Sequence, residues 1–321
     1  VGWAFDDFSY ARTTNGGSNW TWKFNLPAPV QSSLLLSETD GLIATNNGKV
    51  FKSSDLGENW SEVYTGANRI NKLTKMGGGT LILGAGNNTT IIKSSDNGST
   101  WTSPTQTPSV VRDILNTYII DNKSLFVGKN GIVMTSDKFV NTVDNITTGI
   151  MNGLYSAYIT PTVCYAVVGR DKVYKSTDGG TTWQQAFNIS EAKLNALTFS
   201  DNNNGLTVGD DGIIHKTTDG GSTFADKSIG TGKHITDVAV QPSGSLVPHS
   251  ANASITNGLG TPIILYTNSG TGQQIIAKST DAGDNWVTIR SVSSASNEIA
   301  ADISFAGSNI FVCTKDGKIL L

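Results

Sequence analysis

The residues able to do chemistry in this chain are few and can be named at once. Five arginines stand in 321 residues: Arg12, Arg69, Arg112, Arg170 and Arg290. An arginine is a fixed, planar cation that grips a carboxylate through paired N–H groups. Carboxylates gather at Asp6-Asp7, Asp210-Asp211 and Asp316. Two aspartates facing each other across an open cleft could cleave a glycosidic bond, so Asp210, Asp211 and Asp316 are the weak catalytic candidates. Asp-Asp-Gly and Lys-Asp-Gly are also ordinary tight-turn sequences, which leaves catalytic residues at none as the plainer reading. His215, His234 and His249 have no metal-ligand spacing, and Cys164 and Cys313 read as buried small hydrophobes. No nucleophile elbow, phosphate loop or metal motif is present, so neither metal nor cofactor is expected.

The elements that must position these residues come from a repeat. Lys175 to Trp183 reads K-S-T-D-G-G-T-T-W. The pattern returns at Lys52 to Trp60, Lys93 to Trp101, Lys216 to Phe224 and Lys278 to Trp286, with a weaker copy at Arg12 to Trp20. A ruined copy, Met134 to Thr142, keeps Ser136 and Asp137 but loses the glycine and the tryptophan. Measured on Asn15, Asp55, Asp96, Asp137, Asp178, Asp219 and Asp281, the steps are 40, 41, 41, 41, 41 and 62. Such a period means a repeat architecture. Within each copy Ser or Thr followed by Asp favours a turn, because both side chains can bond nearby amides. The glycine suits a left-handed backbone. The tryptophan opens the next strand and offers a large apolar face beneath the turn. The aspartates, with Trp20, Trp60, Trp101, Trp183 and Trp286, are therefore expected to be structural, and Trp60, Trp101 and Trp183 to be largely buried.

The pattern resembles the Asp-box, S/T-x-D-x-G-x-T-W, of the bacterial-neuraminidase-type (BNR) repeat, over nearly the whole chain. That resemblance implies an all-β fold, a β-propeller of four-stranded blades, with each box between the third and fourth strands and away from the ligand face. Leu194 to Phe224 shows the plan: an inner strand, a turn at Asp201 to Gly205, a second strand, a turn at Asp210 to Gly212, and a third strand entering the box. Gly2 to Trp20 aligns on Leu206 to Phe224, so the chain starts at a second strand. Ile299 to Leu321 ends on a third. The count favours seven blades, with eight as the alternative, in a single domain over residues 1–321. Surplus strands at the termini could pair with each other or with another chain. The long last step places an inserted loop at about 242–261, polar and small in composition.

The bulk numbers exclude several classes. Charged residues make up 15% and the net charge is −3, which speaks against an electrostatic nucleic-acid binder. No run approaches the length of a membrane helix. Residues 1–30 carry no signal-peptide pattern, and Val1 reads as the start of a processed or trimmed product.

On a propeller, ligands usually meet the face formed by the second-to-third turns and the links between blades. Mapped onto the repeat, that face collects Arg69, Arg112, Arg170, Lys172, Lys193 and Lys233 as candidate partner-binding residues, together with Lys49, Lys129, Asp171, Glu191, Asp210, Asp211, His234, Glu298, Lys315 and Asp316. The Gly205 to Phe224 blade is similar in style to the photosystem II assembly and stability factor family. That family is non-enzymatic and holds a protein partner on an arginine-bearing face. Blades of the same style occur in many bacterial surface and secreted propellers. A binding scaffold for a protein or glycan, outside the cytoplasm (secreted, periplasmic or cell-surface), is the reading these features favour. A glycoside hydrolase of sialidase-like or xyloglucanase-like type is the enzymatic alternative. Sialidases need three arginines, and Arg12 and Arg290 fall on the wrong part of the blade. A structural subunit of a cell-surface assembly or virion is the third possibility.

Overall fold

The structure is a computed structural model that describes residues 2–5, 9–14, 19, 21–23, 26–76, 79–106, 111–120, 123–137, 142–146, 153–159, 163–168, 171–188, 193–230, 232–240, 262–292, 300–306, 309–314 and 319–320. Asp6, Asp7, Asn15, Trp20, Arg170, Glu191, the 242–261 insertion, Glu298, Lys315 and Asp316 lie outside the described residues. The chain forms two compact units, Val1–Gly153 and Leu154–Leu321. No helix among the described residues is long and apolar enough to cross a membrane.

Among the described residues, eight sheets follow one another in chain order. The first unit holds four. Sheet 1 is Gly2–Phe5, Tyr10–Thr13 and Thr21–Lys23. Sheet 2 is Val30–Leu35, Gly41–Thr45, Lys49–Ser53 and Ser61–Thr65. Sheet 3 is Ile70–Lys75, Ile82–Gly86 and Ile91–Ser94. Sheet 4 is Ile114–Ile120, Lys123–Gly128, Val133–Asp137 and Thr142–Ile146, with Thr105–Gln106 added outside. In the second unit, sheet 5 is Leu154–Ile159, Cys164–Val168, Lys172–Ser176 and Gln184–Asn188. Sheet 6 is Leu194–Phe199, Gly205–Gly209, Ile214–Thr217 and Ala225–Asp226. Sheet 7 is Lys233–Val240, Pro262–Asn268, Gln274–Lys278 and Val287–Val292. Sheet 8 is Ala300–Ala306, Asn309–Thr314 and Ile319–Leu320. Among the described residues seven of these sheets begin with an inner strand, sheet 1 begins at a second strand, and the sheets at both chain ends have three strands.

Second strands such as Gly41–Thr45, Ile82–Gly86 and Gly205–Gly209 are buried along their whole length, because both of their faces are covered. The core is accordingly a series of wedges between neighbouring sheets. Leu42, Ala44 and Val50 of sheet 2 meet Ile70, Leu73, Ile82 and Ile92 of sheet 3. Leu206, Val208 and Ile214 of sheet 6 meet Ile235, Val238 and Ile264 of sheet 7. Cys164 is buried in sheet 5, as its apolar setting suggests.

Two departures from four plain strands have local causes. In sheet 3, Thr102 exchanges backbone bonds of 2.8 and 2.9 Å with Lys93, and Pro104 follows two residues later. Proline has no N–H to extend that ladder. The chain instead crosses to sheet 4, where Thr105 and Gln106 pair in parallel with Thr142 and Val143. Sheet 4 is the one whose box is ruined.

The second departure recurs in every inner strand. The register slips by one residue at Gln31, Asn71, Leu115, Tyr155, Asn195, Thr236 and Ala301. A bulge of this kind re-aims a side chain out of the pleat. Asn71 Nδ2 thereby donates to Ile114 O at 2.7 Å, and Asn195 Nδ2 to Ile235 O at 2.8 Å, each on the next inner strand. Beside the bulges, Ser32 Oγ accepts the Leu73 N–H at 3.0 Å and Ser156 Oγ accepts the Leu197 N–H at 3.2 Å. These pins join sheet 2 to 3 and 3 to 4 in the first unit, and sheet 5 to 6 and 6 to 7 in the second. Asn195→Ala removes two bonds and strands the Ile235 carbonyl, so it should cost about 1–3 kcal/mol. Equilibrium urea unfolding measures this directly, and an unchanged midpoint would show that the pin contributes nothing.

Candidate functional site

The boxes must be separated from the site before the site can be read. In the five intact copies the geometry is nearly invariant. Ser53, Ser94, Ser176, Thr217 and Ser279 each donate to Oδ1 of the box aspartate at 2.7–2.9 Å. The same hydroxyls accept the N–H of the box glycine at 2.7–2.8 Å. The aspartate Oδ1 then accepts a backbone N–H four residues on, from Asn59, Thr100, Thr182, Thr223 or Asn285, at 2.8–2.9 Å. Its Oδ2 takes that residue's side chain at 2.6–2.7 Å. The turn carries two successive left-handed residues, for example Leu56 and Gly57 at φ 63° and 84°. The sequence pointed to the second of these alone.

The box tryptophans are a correction. Trp60, Trp101, Trp183 and Trp286 are half-buried rather than largely buried. Trp60, Trp101 and Trp286 pack against buried core clusters while remaining partly open to solvent. Trp101 and Trp183 also donate Nε1–H to the carbonyls of Gly98 and Gly180, at 3.2 and 2.9 Å. Asp137 closes the strand Val133–Asp137 and is exposed, and the residues that would complete its turn lie outside the described residues.

The cation that opens each box had no assigned role in the sequence, and the structure supplies one. Arg12 Nη1 meets Glu58 at 2.7 Å and the Leu56 carbonyl at 3.1 Å in the following box. Lys52 reaches Ser99 Oγ at 2.8 Å, Lys175 reaches Gly220 O at 2.6 Å, and Lys216 reaches Asp284 at 2.7 Å. The recurrence of Lys or Arg at this place was visible, but its partner lies 44 to 68 residues away.

The candidate face is built on the second-to-third turns. Asn87–Thr89, Lys129–Gly131 and Asp210–Gly212 form short 3-10 turns whose middle residues, Asn88, Asn130 and Asp211, are left-handed at φ 52°, 53° and 56°. A glycine precedes each turn for a steric reason. A Cβ on Gly86, Gly128 or Gly209 would stand 2.0–2.1 Å from the carbonyl oxygens of Arg69, Asp113 and Lys193. Those same carbonyls accept the first turn N–H, from Asn87, Lys129 and Asp210, at 2.8–2.9 Å. The close approach fixes each link residue beside its turn.

In the first unit this brings two predicted residues together. Asn87 bonds to Arg69 O, and Thr89 N–H bonds to Arg112 O at 2.7 Å, so one turn lies between the two arginines. Arg69 is exposed. Arg112 is half-buried, and its Nη1 returns to Val111 O at 2.9 Å. Asp113 pairs with Lys129 at 2.7 Å. That bond, with help from the nearby Arg69 cation, holds its carboxyl below the usual range.

In the second unit the predicted cations are more occupied. Lys172 pairs with Asp171 at 2.7 Å, which raises the lysine's pKa. Lys233 donates to the Ile229 carbonyl, and Lys193 is exposed. Arg170 lies outside the described residues. The weak catalytic candidates read as turn residues. Asp210 Oδ1 accepts Asn195 Nδ2 at 2.8 Å and pairs with His234 Nδ1, while Asp211 supplies the left-handed position. Among the described residues every carboxylate whose titration is displaced is displaced downward. A cavity of about 30 Å³ beside Thr198, Lys216 and Pro262 has room for a water or two and none for a sugar ring.

Comparison with known proteins agrees with this geometry. A family model described as the DUF6242 beta propeller domain matches residues 7–124, and one described as Photosynthesis system II assembly factor YCF48 matches residues 133–218. The photosystem II assembly lipoprotein Ycf48 of Picosynechococcus sp. (strain ATCC 27264 / PCC 7002 / PR-6) is 24% identical over 202 residues. That match spans 59% of this chain and 58% of the relative, so a little over half of that protein is covered. Among solved structures, YCF48 from Cyanidioschyzon merolae superposes with a TM-score of 0.65 at 15% identity, over 91% of this chain and 96% of that one. YCF48 bound to D1 peptide gives 0.63 at 12%, over 90% of each chain. The C-terminal WD40 domain of Sif2 gives 0.70 at 12%, over 98% and 89%. The chain is a BNR-type β-propeller. Its repeats resemble those of the photosystem II assembly factor Ycf48.

The boxes generate a pH prediction. Asp178 is held down to about 2, first by the Thr182 N–H, and Asp219 to about 2, first by the Thr223 hydroxyl. Asp55, Asp96 and Asp281 are lowered by the equivalent bonds. An unfolded aspartate titrates near 3.9. The folded chain therefore holds the charged form more tightly, and this stabilisation is complete above about pH 4 and lost as pH falls toward 2. Urea midpoints measured from pH 6 to pH 2 should drop within that window. Asp178→Asn should flatten the drop, and a parent curve that stays level to pH 2 would contradict the assignment.

Proposed function

We propose that this chain is a non-enzymatic binding scaffold, a single propeller domain over residues 1–321, that holds a protein partner on its turn-lined face. The observation that carries the reading is the pair Arg69 and Arg112, fastened on either side of the Asn87–Thr89 turn. Two guanidinium groups on a backbone stiffened by turn bonds suit a carboxylate on an extended peptide segment. By their place in the repeat, Lys193 and Arg170 are further candidate partner-binding cations of the second unit, where Lys172 and Lys233 already hold partners of their own. A solved relative is titled as bound to D1 peptide, which supports a peptide segment as the form the partner takes. The curated relative is named a lipoprotein, which supports a place outside the cytoplasm.

Selection from a peptide library displayed on phage tests the reading. The parent should enrich acidic peptides, and Arg69→Ala with Arg112→Ala should weaken the selected peptides at least about tenfold, the loss expected for charge-assisted bonds. The melting temperature should stay nearly unchanged, since both side chains lie outside the core. A double variant that selects the same peptides with the same affinity would end the proposal.

A further inference from the structure

The outer joint between successive sheets is repeated often enough to show what it requires. In four copies the cation that opens one box reaches the corner of the following box. What it meets there goes with the eighth residue after its own box aspartate or asparagine. In sheet 1 that residue is Lys23, and Arg12 and Lys23 close on Glu58 at 2.7 and 2.8 Å. In sheet 6 it is Lys227, and Lys216 and Lys227 close on Asp284 at 2.7 and 2.9 Å. In sheet 2 it is Val63, and Lys52 meets the Ser99 hydroxyl at 2.8 Å. In sheet 5 it is Ala186, and Lys175 meets the Gly220 carbonyl at 2.6 Å, in a corner with Ser222 at the place of Ser99. Glu58, Asp284, Ser99 and Ser222 all stand third after their box aspartate. Two cations are answered by a carboxylate, and one cation with an apolar eighth residue by neutral oxygens. A carboxylate held by one cation beside an apolar group would lose hydration without full compensation.

Sheet 7 carries the same joint with nothing described in it. Lys278 stands where Arg12, Lys52, Lys175 and Lys216 stand; it is half-buried and has no partner among the described residues. Its eighth residue, Ile289, is 47% exposed, where Val63 and Ala186 are half-buried. Arg290 is exposed at the position where Tyr64 packs on Trp101 with ring centroids 6.4 Å apart and Phe187 stacks on Phe224 at 4.5 Å. Val287 is exposed too, so two of the four large exposed hydrophobic residues among those described lie on this one strand. Sheet 8 follows in the chain, but its described strands bring no box corner. The pattern of the filled joints states what the flank fits: a box corner with a hydroxyl, not a carboxylate, at the third place. The copy at Arg12 to Trp20 has Ser18 there, and no repeat stands ahead of it in the 321 residues to supply a cation.

We propose that the outer flank of sheet 7 is an assembly surface that receives the first box corner of a second copy of this chain. Lys278 meets the neutral oxygens of that corner, and Ile289 and Val287 lie against its apolar side. The contact joins two different surfaces, so it runs head to tail and builds rings or filaments rather than a closed two-fold dimer. It is separate from the arginine-bearing face and does not depend on it.

Sedimentation velocity on the whole chain, over roughly 1 µM to 1 mM protein, reads the association. The parent should sediment faster as its concentration rises. Lys278→Glu should weaken the association at least about tenfold. Ile289→Lys gives the flank the paired cations of sheets 1 and 6, and should weaken it as well. Adding Ser18→Glu to that variant supplies the matching carboxylate and should restore association to within about threefold of the parent. A merely structural role for Ile289 would not give this rescue. Lys278→Cys combined with Ser18→Cys, oxidised at high concentration, should yield disulfide-linked dimers and longer species on a non-reducing gel. A parent that stays monomeric throughout overturns the proposal, and so does an Ile289→Lys variant that Ser18→Glu fails to rescue. A disulfide that closes within single chains also overturns it and assigns the flank to the chain's own first box. If Ile289→Lys does not fold, the cysteine pair decides alone.

Discussion

The box aspartate's carboxylate is the interaction on which the rest of this architecture depends. Five of the sheets turn an outer corner over two successive left-handed residues, a conformation that costs free energy for any side chain but glycine. Leu56, Asn97 and Ala282 hold it without glycine's freedom. They can do so because a short hydroxyl, a carboxylate and a backbone amide close a ring of bonds around the corner. Once that corner is rigid it presents carbonyl oxygens to the preceding sheet. The preceding box cation, as with Lys175 on Gly220, then has something to hold. The local turn and the contact between sheets are in this way one device.

The inner end of the sheets is organised by a different means. There the bulges at Asn71 and Asn195 turn a side chain out of the pleat toward the next sheet, and Ser32 and Ser156 beside theirs do the same, so that the following inner strand is fastened through a main-chain carbonyl or amide. The same region sets the candidate site, since the link residue that precedes each bulge also bonds to the second-to-third turn. Arg69 and Arg112 owe their separation to that bonding, not to contact with each other. The stiffness that holds a sheet to its neighbour is the same stiffness that spaces the cations of the face.

Sheet 4 shows what happens when the repeat decays. Met134 stands where intact boxes carry a cation, and the glycine and tryptophan are gone. An outer strand, Thr105–Gln106, is laid in parallel along Thr142–Val143. It is free to do so because Pro104 ends its pairing in sheet 3. Loss of a self-closing corner in one sheet is matched by a strand borrowed from the segment before it.

Much of the fold was legible in the sequence and little of the site. The repeat of S/T-x-D-x-G-x-T-W determined the number and order of the corners, the all-β class and the place of each turn, because these depend on bonds between residues a few positions apart. Asp55 and Asn59 announce their clamp within five letters. The residue types on the face were also visible, since the period marks which positions are links. Three features were decided by tertiary structure alone. The bulges at Asn71 and Asn195 leave no mark in a run that reads as an ordinary apolar strand. The box cations show their recurrence but not their partners, which arrive from the next repeat. The pairing of Asp113 with Lys129, and the placing of Arg69 and Arg112 about one turn, join residues 16 to 43 positions apart. Bonds across that distance exist only once neighbouring sheets have packed. Local chemistry determined the corners, and the close approach of one sheet to the next decided which charges meet.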